Sequence, residues 1–244
     1  MVRGFYQLGS GLFTQTQVLN TISNNIANSN TTGYKEQKTV ATTFEEAMLS
    51  RVDHEYTEIG NTYYATIPAE HATLHSQGAF NPTGRALDFA IQGQGFFAVE
   101  KNGEVQYTRN GCFNIDGDGM LVDGEGDHVL NRNGGYIYIG TSDFKADEYG
   151  NIFTENATVQ IGLYDFADYN TIREVRDGYY TGPNPMPSDN QNIKWQVLES
   201  SNVDMAQEMI NAISAQRGFQ YMAQAVNMYG EVLDQSISQL GKMN

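Results

Sequence analysis

Three groups of residues have types and spacing that could support chemistry. Asn114, Asp116, Asp118, Gly119 and Glu125 fall at positions 1, 3, 5, 6 and 12 of a helix–loop–helix calcium loop, with Leu121 at its usual apolar position. Such a loop starts with Asp and needs a helix on each side. Here Phe113 and Ile115 alternate as in a strand, and Met120-Leu121-Val122 reads as the return strand. Asp116-Gly117-Asp118-Gly119 is therefore expected to be a hairpin turn. No resident metal is expected; Asn114, Asp116, Asp118 and Glu125 are the weak candidates for a loosely bound cation. The second group, Gly93-x-Gly95-x-x-Ala98, fits the loose dinucleotide fingerprint, but Phe96-Phe97-Ala98-Val99 follows as a strand, where a helix N-terminus would have to hold the pyrophosphate. The third, His54, His71 and His75, lacks a third ligand at zinc spacing, and Pro68 and Ser76-Gln77-Gly78 favour extended chain. Cys112 has no neighbouring His and reads as a small buried hydrophobe. The nucleophile-elbow, phosphate-loop and zinc-protease motifs do not occur. No catalytic residue and no cofactor are nominated, and the chain reads as non-enzymatic.

Composition narrows the field further. The chain has 244 residues, 40% of them hydrophobic, and a formal net charge of −15. That charge opposes nucleic-acid binding, which needs a basic stripe to displace counterions, and disfavours an anionic membrane face. No apolar run is long enough to span a bilayer, so no membrane insertion is expected. No charged-then-apolar leader of the cleavable secretory type is visible.

What organises the chain is its two ends. Leu8, Leu12, Leu19, Ile22 and Ile26 follow Phe5 at alternating steps of three and four, with Gln15 the break. This is the narrow seam of a coiled coil. The rest of that helix is mostly Gln, Asn, Ser and Thr, with no acidic residue before Glu36, which suits packing against other chains better than facing water. Gly33 is placed to stop the Asn-rich helix end. At the far end, Met205, Met209, Ala212, Gln216, Phe219, Ala223, Val226, Gly230, Leu233, Ile237 and Leu240 repeat at four-three steps, predicting a helix ~60 Å long. Ala206, Ile210 and Ile213 add a second apolar row, and Ser201 or Asn202 is the expected cap.

Between the ends, Thr42 to Val52 has helical spacing and 53–75 reads as an extended connector with at most one short strand. From Gly78 to about Gln191, short aromatic and β-branched runs (Phe89–Ile91, Gly95–Glu100, Val105–Thr108, Tyr136–Ile139) alternate with Gly- and Asn-rich turns. They predict an irregular antiparallel sandwich or barrel. The fold class is α+β: long terminal helices pairing as a coiled coil, with an inserted all-β domain. The expected divisions are 1–35, 36–77, 78–191 and 192–244, with prolines at 183, 185 and 187 stiffening the exit.

Three parts of this text resemble the bacterial flagellar rod and hook proteins. NTISNNIANSNTTGYK is similar to their N-terminal signature. LDFAIQGQGFFAV, YTRNGCF and DGDGMLV stand in the order of their β-domain blocks, and LESSNVDMAQEMINAISAQRGFQYMAQAV resembles their C-terminal helix. The resemblance covers 1–35, 78–130 and 198–243, and LHSQG and GQGFF lean toward the distal-rod type. It implies a basal-body rod subunit that forms a tube with copies of itself and other axial proteins, and that leaves the cell uncleaved through the flagellar export apparatus. The two seams would hold the tube, Asn24, Asn25 and Asn28 would bond between subunits, and Gly33 and Tyr34 would turn the chain toward the β domain. The alternatives are a hook subunit of the same family and a calcium-dependent surface binding module.

Overall fold

The computed structural model describes residues 2–52, 56–140, 144–147, 149–154, 158–188 and 192–241, with the backbone alone over 2–3, 41–52, 56–71 and 240. His54 and the side chains of His71 and Leu240 lie outside the described residues. The chain forms two compact units. One comprises Met1–Ala27, Gln37–Leu74 and Asp204–Asn244, the other Asn28–Glu36 and His75–Val203.

The first unit is helical with one β-hairpin. Helix α1 spans Val2–Ala27 and α2 spans Met205–Gly241. The cap of α2 is Asp204, not Ser201 or Asn202. Its Oδ1 accepts from the amides of Ala206 and Gln207 at 2.9 and 3.2 Å. A carboxylate is the better acceptor for these orphan amides and favours the helix dipole. Ser201 and Asn202 are engaged elsewhere, with Val203 N and Glu36 N respectively. The helices run antiparallel: Gly4 lies against Tyr229, Gly11 against Met222, and Gln15 against Gly218. Strands β1 (Gln37–Val52) and β2 (Tyr56–Thr73) pair antiparallel over nearly their full length. Here the backbone differs from the helical spacing of Thr42–Val52, and the connector, extended as expected, is one long strand where at most a short one was expected. A helix that short is marginal alone, whereas two Thr-rich segments side by side satisfy each other's backbone. Pro68 stands opposite Ala41 beside a register shift, a position that tolerates its missing N–H.

The second unit is β-rich and antiparallel. Its strands are β3 (Phe80–Pro82), β4 (Phe89–Ile91), β5 (Phe96–Lys101), β6 (Glu104–Thr108), β7 (Asn114–Ile115), β8 (Leu121–Val122) and β9 (His128–Val129). Next come β10 (Lys145–Ala146), β11 (Asn151–Phe153), β12 (Thr158–Gln160), β13 (Leu163–Asp165), β14 (Arg173–Arg176) and β15 (Tyr179–Thr181). β16 (Met186–Pro187), β17 (Ile193–Trp195) and β18 (Val197–Glu199) complete them. The main sheet runs β14-β15-β6-β5-β9-β8-β7, with β13 joining β5 and β16; smaller pairings are β10-β11-β12, β17-β4 and β18-β3. Strand β5 is its centre, and its sequence shows why. Phe97 and Val99 enter one core cluster with Phe89, Phe113 and Leu163, while Phe96 and Ala98 enter another with Tyr107, Leu130 and Phe166. A strand buried on both faces needs a continuous apolar run, and GFFAV supplies it. The turn into β6, Asn102-Gly103, has positive φ at both residues (53° and 87°), the geometry that two-residue hairpins prefer. Tyr136–Ile139, expected as a strand, contributes only isolated bridges, Leu130 to Tyr136 and Met120 to Tyr138.

Candidate functional site

The most unusual chemistry in the β-rich unit is a set of charges with almost no water. Lys35 and Glu199 side chains are fully buried and Arg109 is 2% exposed. Lys35 Nζ donates to Glu199 Oε1 at 2.5 Å and to the Ser76 carbonyl at 2.8 Å. The same Oε1 accepts from Gly78 N at 2.9 Å, and Glu199 Oε2 takes Arg109 at 3.4 Å. Through its backbone carbonyl, Glu199 also accepts from Gly33 N at 2.8 Å. Asn202 adds a side-chain link from Glu36 N to Ser76. One carboxylate thus ties together the three passages by which chain enters or leaves this unit, at residues 33–36, 75–79 and 199–202. Burial pulls the Lys35 ammonium below the ordinary lysine range, and the Glu199 carboxylate opposes that shift. Three charges sharing one dry site are tolerable only together, since each alone would cost several kcal/mol (about 3–5 when a partner is removed).

His75 closes the site. Its ring lies 5.1–5.6 Å from those of Phe96, Tyr169 and Tyr180, and its buried Nδ1 has no hydrogen-bond partner among the described residues. Burial, then the nearby Arg109 and Lys35 charges, lower its pKa to about 4. The folded state therefore disfavours the protonated ring, and the unfolded chain takes up the proton first. Stability from this group is complete above ~6.5 and is lost as pH falls toward ~4, by up to about 3 kcal/mol. Urea midpoints at pH 7 and pH 4.5 should differ more for the natural chain than for His75→Phe; equal differences would show that His75 does not carry the effect.

The acidic turns have a different use from the one their spacing suggests. Among the described residues, four loops share one construction, beginning at Asp116, Asp123, Asn131 and Asp147. In each, the first side chain accepts from the amides two and four residues on, at 2.8–3.0 Å. The fourth residue is always glycine at positive φ (Gly119, Gly126, Gly134, Gly150, 74–91°). Its amide closes back on the first carbonyl at 3.0–3.2 Å. These are Asx-capped turns. Burial pushes the Asp147 carboxyl up, but hydrogen bonds from the Asn151 side chain and the loop amides outweigh it and hold it below its usual range. The remaining candidate ligands are engaged separately: Asn114 Oδ1 with Arg85, and Glu125 with Lys101 and with Arg176. Asp116 and Asp118 sit on the first loop and Glu125 on the second, so the calcium-like spacing spans two turns.

In the helical unit, small and polar groups take part in the contact between α1 and α2. From α1 it includes Gly4, Gly11, Gln15 and Asn25, and from α2 Glu208, Ala215, Gly218, Met222 and Tyr229. Gln15 Nε2 donates to the Ala215 carbonyl at 3.0 Å. Of the seam residues on α1, Ile22 is buried, Leu8, Leu12, Leu19 and Ile26 are half-buried, and Phe5 is 52% exposed. On α2, Ala212, Ala223, Val226 and Leu233 are half-buried, whereas Met205, Met209, Phe219 and Ile237 face solvent. Asn24 is exposed. Asn25 is buried, and its amide pairs both ways with the Gln37 backbone at 2.9 and 3.0 Å. In the β-rich unit, Asn28 Oδ1 accepts from Thr31 Oγ1. Gly33 has φ +72° and lies so close to Arg109 that a Cβ would stand 2.5 Å from its carbonyl carbon. Tyr34 is buried beside it. Lys35, Arg109 and Glu199 lie within the sequence blocks quoted above without an assigned role; for Lys35 and Arg109 the signal is a lone charge in an otherwise uncharged motif, whereas Glu199 stands in a block that also holds Asp204, Glu208 and Arg217.

The chain's ends pair as antiparallel helices, while its β-rich part is cinched at one buried carboxylate, which together define the class as an α+β protein with terminal helices and an inserted β domain. Comparisons with known proteins give the class a family. Residues 5–35 match the flagella basal body rod protein model, 90–163 the flagellar hook protein FlgE/F/G D1 domain, and 196–240 the flagellar basal body rod FlgEFG protein C-terminal model. Flagellar basal-body rod protein FlgG of Bacillus subtilis is 31% identical, covering 98% of this chain and 99% of the relative. FlgF of Caulobacter vibrioides is 31% identical (95% of each chain), and FlgG of Borreliella burgdorferi 28% (96% and 97%). The chain belongs to the flagellar basal-body rod protein family.

Proposed function

We propose that this chain is a non-enzymatic structural subunit of the bacterial flagellar basal-body rod, joining copies of itself and other axial proteins through its terminal helices into a torque-bearing tube. Export beyond the cytoplasmic membrane through the flagellum's own apparatus, without a cleaved leader, belongs to the same reading. The observation that carries it is the exposed apolar strip. Met209, Ile210 and Ile213 on α2 are 50–60% exposed, and Phe5 and Phe13 on α1 exceed 50%. Large apolar side chains in such a row mark surfaces that another molecule covers. The full-length match to relatives named as rod proteins favours rod over hook.

Testing this by trimming to residues 36–197 would remove Lys35 and Glu199, and so damage the β-rich unit as well. Substituting the strip is cleaner. Met209→Asp with Ile213→Asp is expected to leave the circular dichroism of dilute protein unchanged. It should raise the concentration at which light scattering reports polymer at least about tenfold, the equivalent of ~1.4 kcal/mol. Polymerisation at the natural concentration would remove the strip from the interface.

A further inference from the structure

In the helical unit, a groove of about 350 Å³ opens between α1, the start of β1 and α2. Glu208 faces it and is only 5% exposed. Its two oxygens accept from amides alone, Asn25 Nδ2 at 3.3 Å and Asn211 Nδ2 at 3.0 Å. Across the groove Thr21 and Thr39 join through their hydroxyls at 2.7 Å. Lys38 lines the rim and has interactions of its own. Among the described residues no cation pairs with Glu208, so a nearly dry carboxylate stands opposite only neutral donors, a costly arrangement for a charged group. The complementary group is on the same helix. Arg217 is the sole cation among the described residues of α2; it is exposed and has no ion pair among them. It lies nine residues past Glu208, about two and a half turns, and therefore on the opposite side of the helix some 13 Å further along, as estimated from helix geometry.

We propose that the Glu208 groove receives the Arg217 guanidinium of a second copy of this chain. An arginine suits the site because its planar fork can meet a carboxylate through two bonds while its stem packs along the groove. Because socket and plug stand on opposite sides of one helix, one copy's pairing leaves its own plug free for the next. The contact is head-to-tail and open-ended, not a closed pair. This rests on the assembly reading above and supplies it with a specific contact.

The test uses full-length chains and light scattering. Arg217→Glu alters an exposed residue and is expected to raise the polymerisation concentration at least about tenfold. Glu208→Arg should do the same. An equal mixture of the two variants should polymerise again, since each supplies the partner the other lacks. Independently, added salt should raise the natural chain's threshold more than that of Arg217→Ala. Arg217→Glu polymerising at the natural concentration, or a salt response unchanged in Arg217→Ala, overturns the pairing while leaving assembly intact. A natural chain that stays monomeric at all concentrations overturns the assembly reading, and the pairing with it.

Discussion

Glu199→Ala is expected to cost about 3–5 kcal/mol, the largest loss from any single side chain described above. The substitution removes one carboxylate and strands three groups at once. Lys35 and Arg109 become unpaired cations with 0% and 2% of their side chains exposed, and Gly78 N loses its acceptor. For a unit of this size that corresponds to a fall of roughly 10 °C in melting temperature. Lys35→Met should be milder, because Glu199 keeps Arg109 and an unbranched apolar chain fills the space. The order of the two in urea unfolding is the informative result. If Lys35→Met proves the more damaging, the carboxylate is not the centre of the cluster.

The second large effect concerns a backbone position. Gly33→Ala should cost about 2–4 kcal/mol, from a left-handed conformation a side chain resists and from overpacking against a neighbouring backbone. At φ +72° its Cβ would stand 2.5 Å from both Arg109 C and Asn110 N, which side-chain rotation cannot relieve. Gly84 is the internal control. Its φ is +70°, yet nothing lies within 4 Å of the same Cβ. Gly84→Ala should therefore show the conformational part alone, about 1–2 kcal/mol. Equal losses at the two positions would mean that the close approach of residues 33 and 109 contributes nothing.

These two residues also mark what could be read from the chain before it folded. Periodicity made the terminal helices legible, and continuous apolar or β-branched runs between turn residues did the same for the strands of Phe89–Ile91, Phe96–Lys101 and Glu104–Thr108. Periodicity does not say what covers a face. The apolar strip of Met205, Met209 and Phe219 looked like the α1–α2 contact, yet within one chain these three face solvent, and the contact includes Glu208, Ala215 and Gly218, where small and polar groups allow close approach and hydrogen bonds. The β1–β2 hairpin was missed because its strands become favourable only as a pair, which a single segment's spacing cannot reveal. The buried cluster was hidden by distance along the chain: Glu199 lies 164 residues from Lys35 and 90 from Arg109. The Asx loops were visible one by one as turns, but the calcium-like register drew attention across two of them and away from their shared pattern.

That shared pattern has a consequence for how the β-rich unit tolerates change. Each of the four loops closes its own amides and carbonyls through its first side chain and its glycine, and Asp123 and Asn131 in addition accept from the Tyr179 and Tyr164 hydroxyls. They are variations on one corner piece. The spacing from Asx to glycine is fixed by these bonds, whereas side chains between them that make no contact of their own can vary in type while the strands they join keep their register.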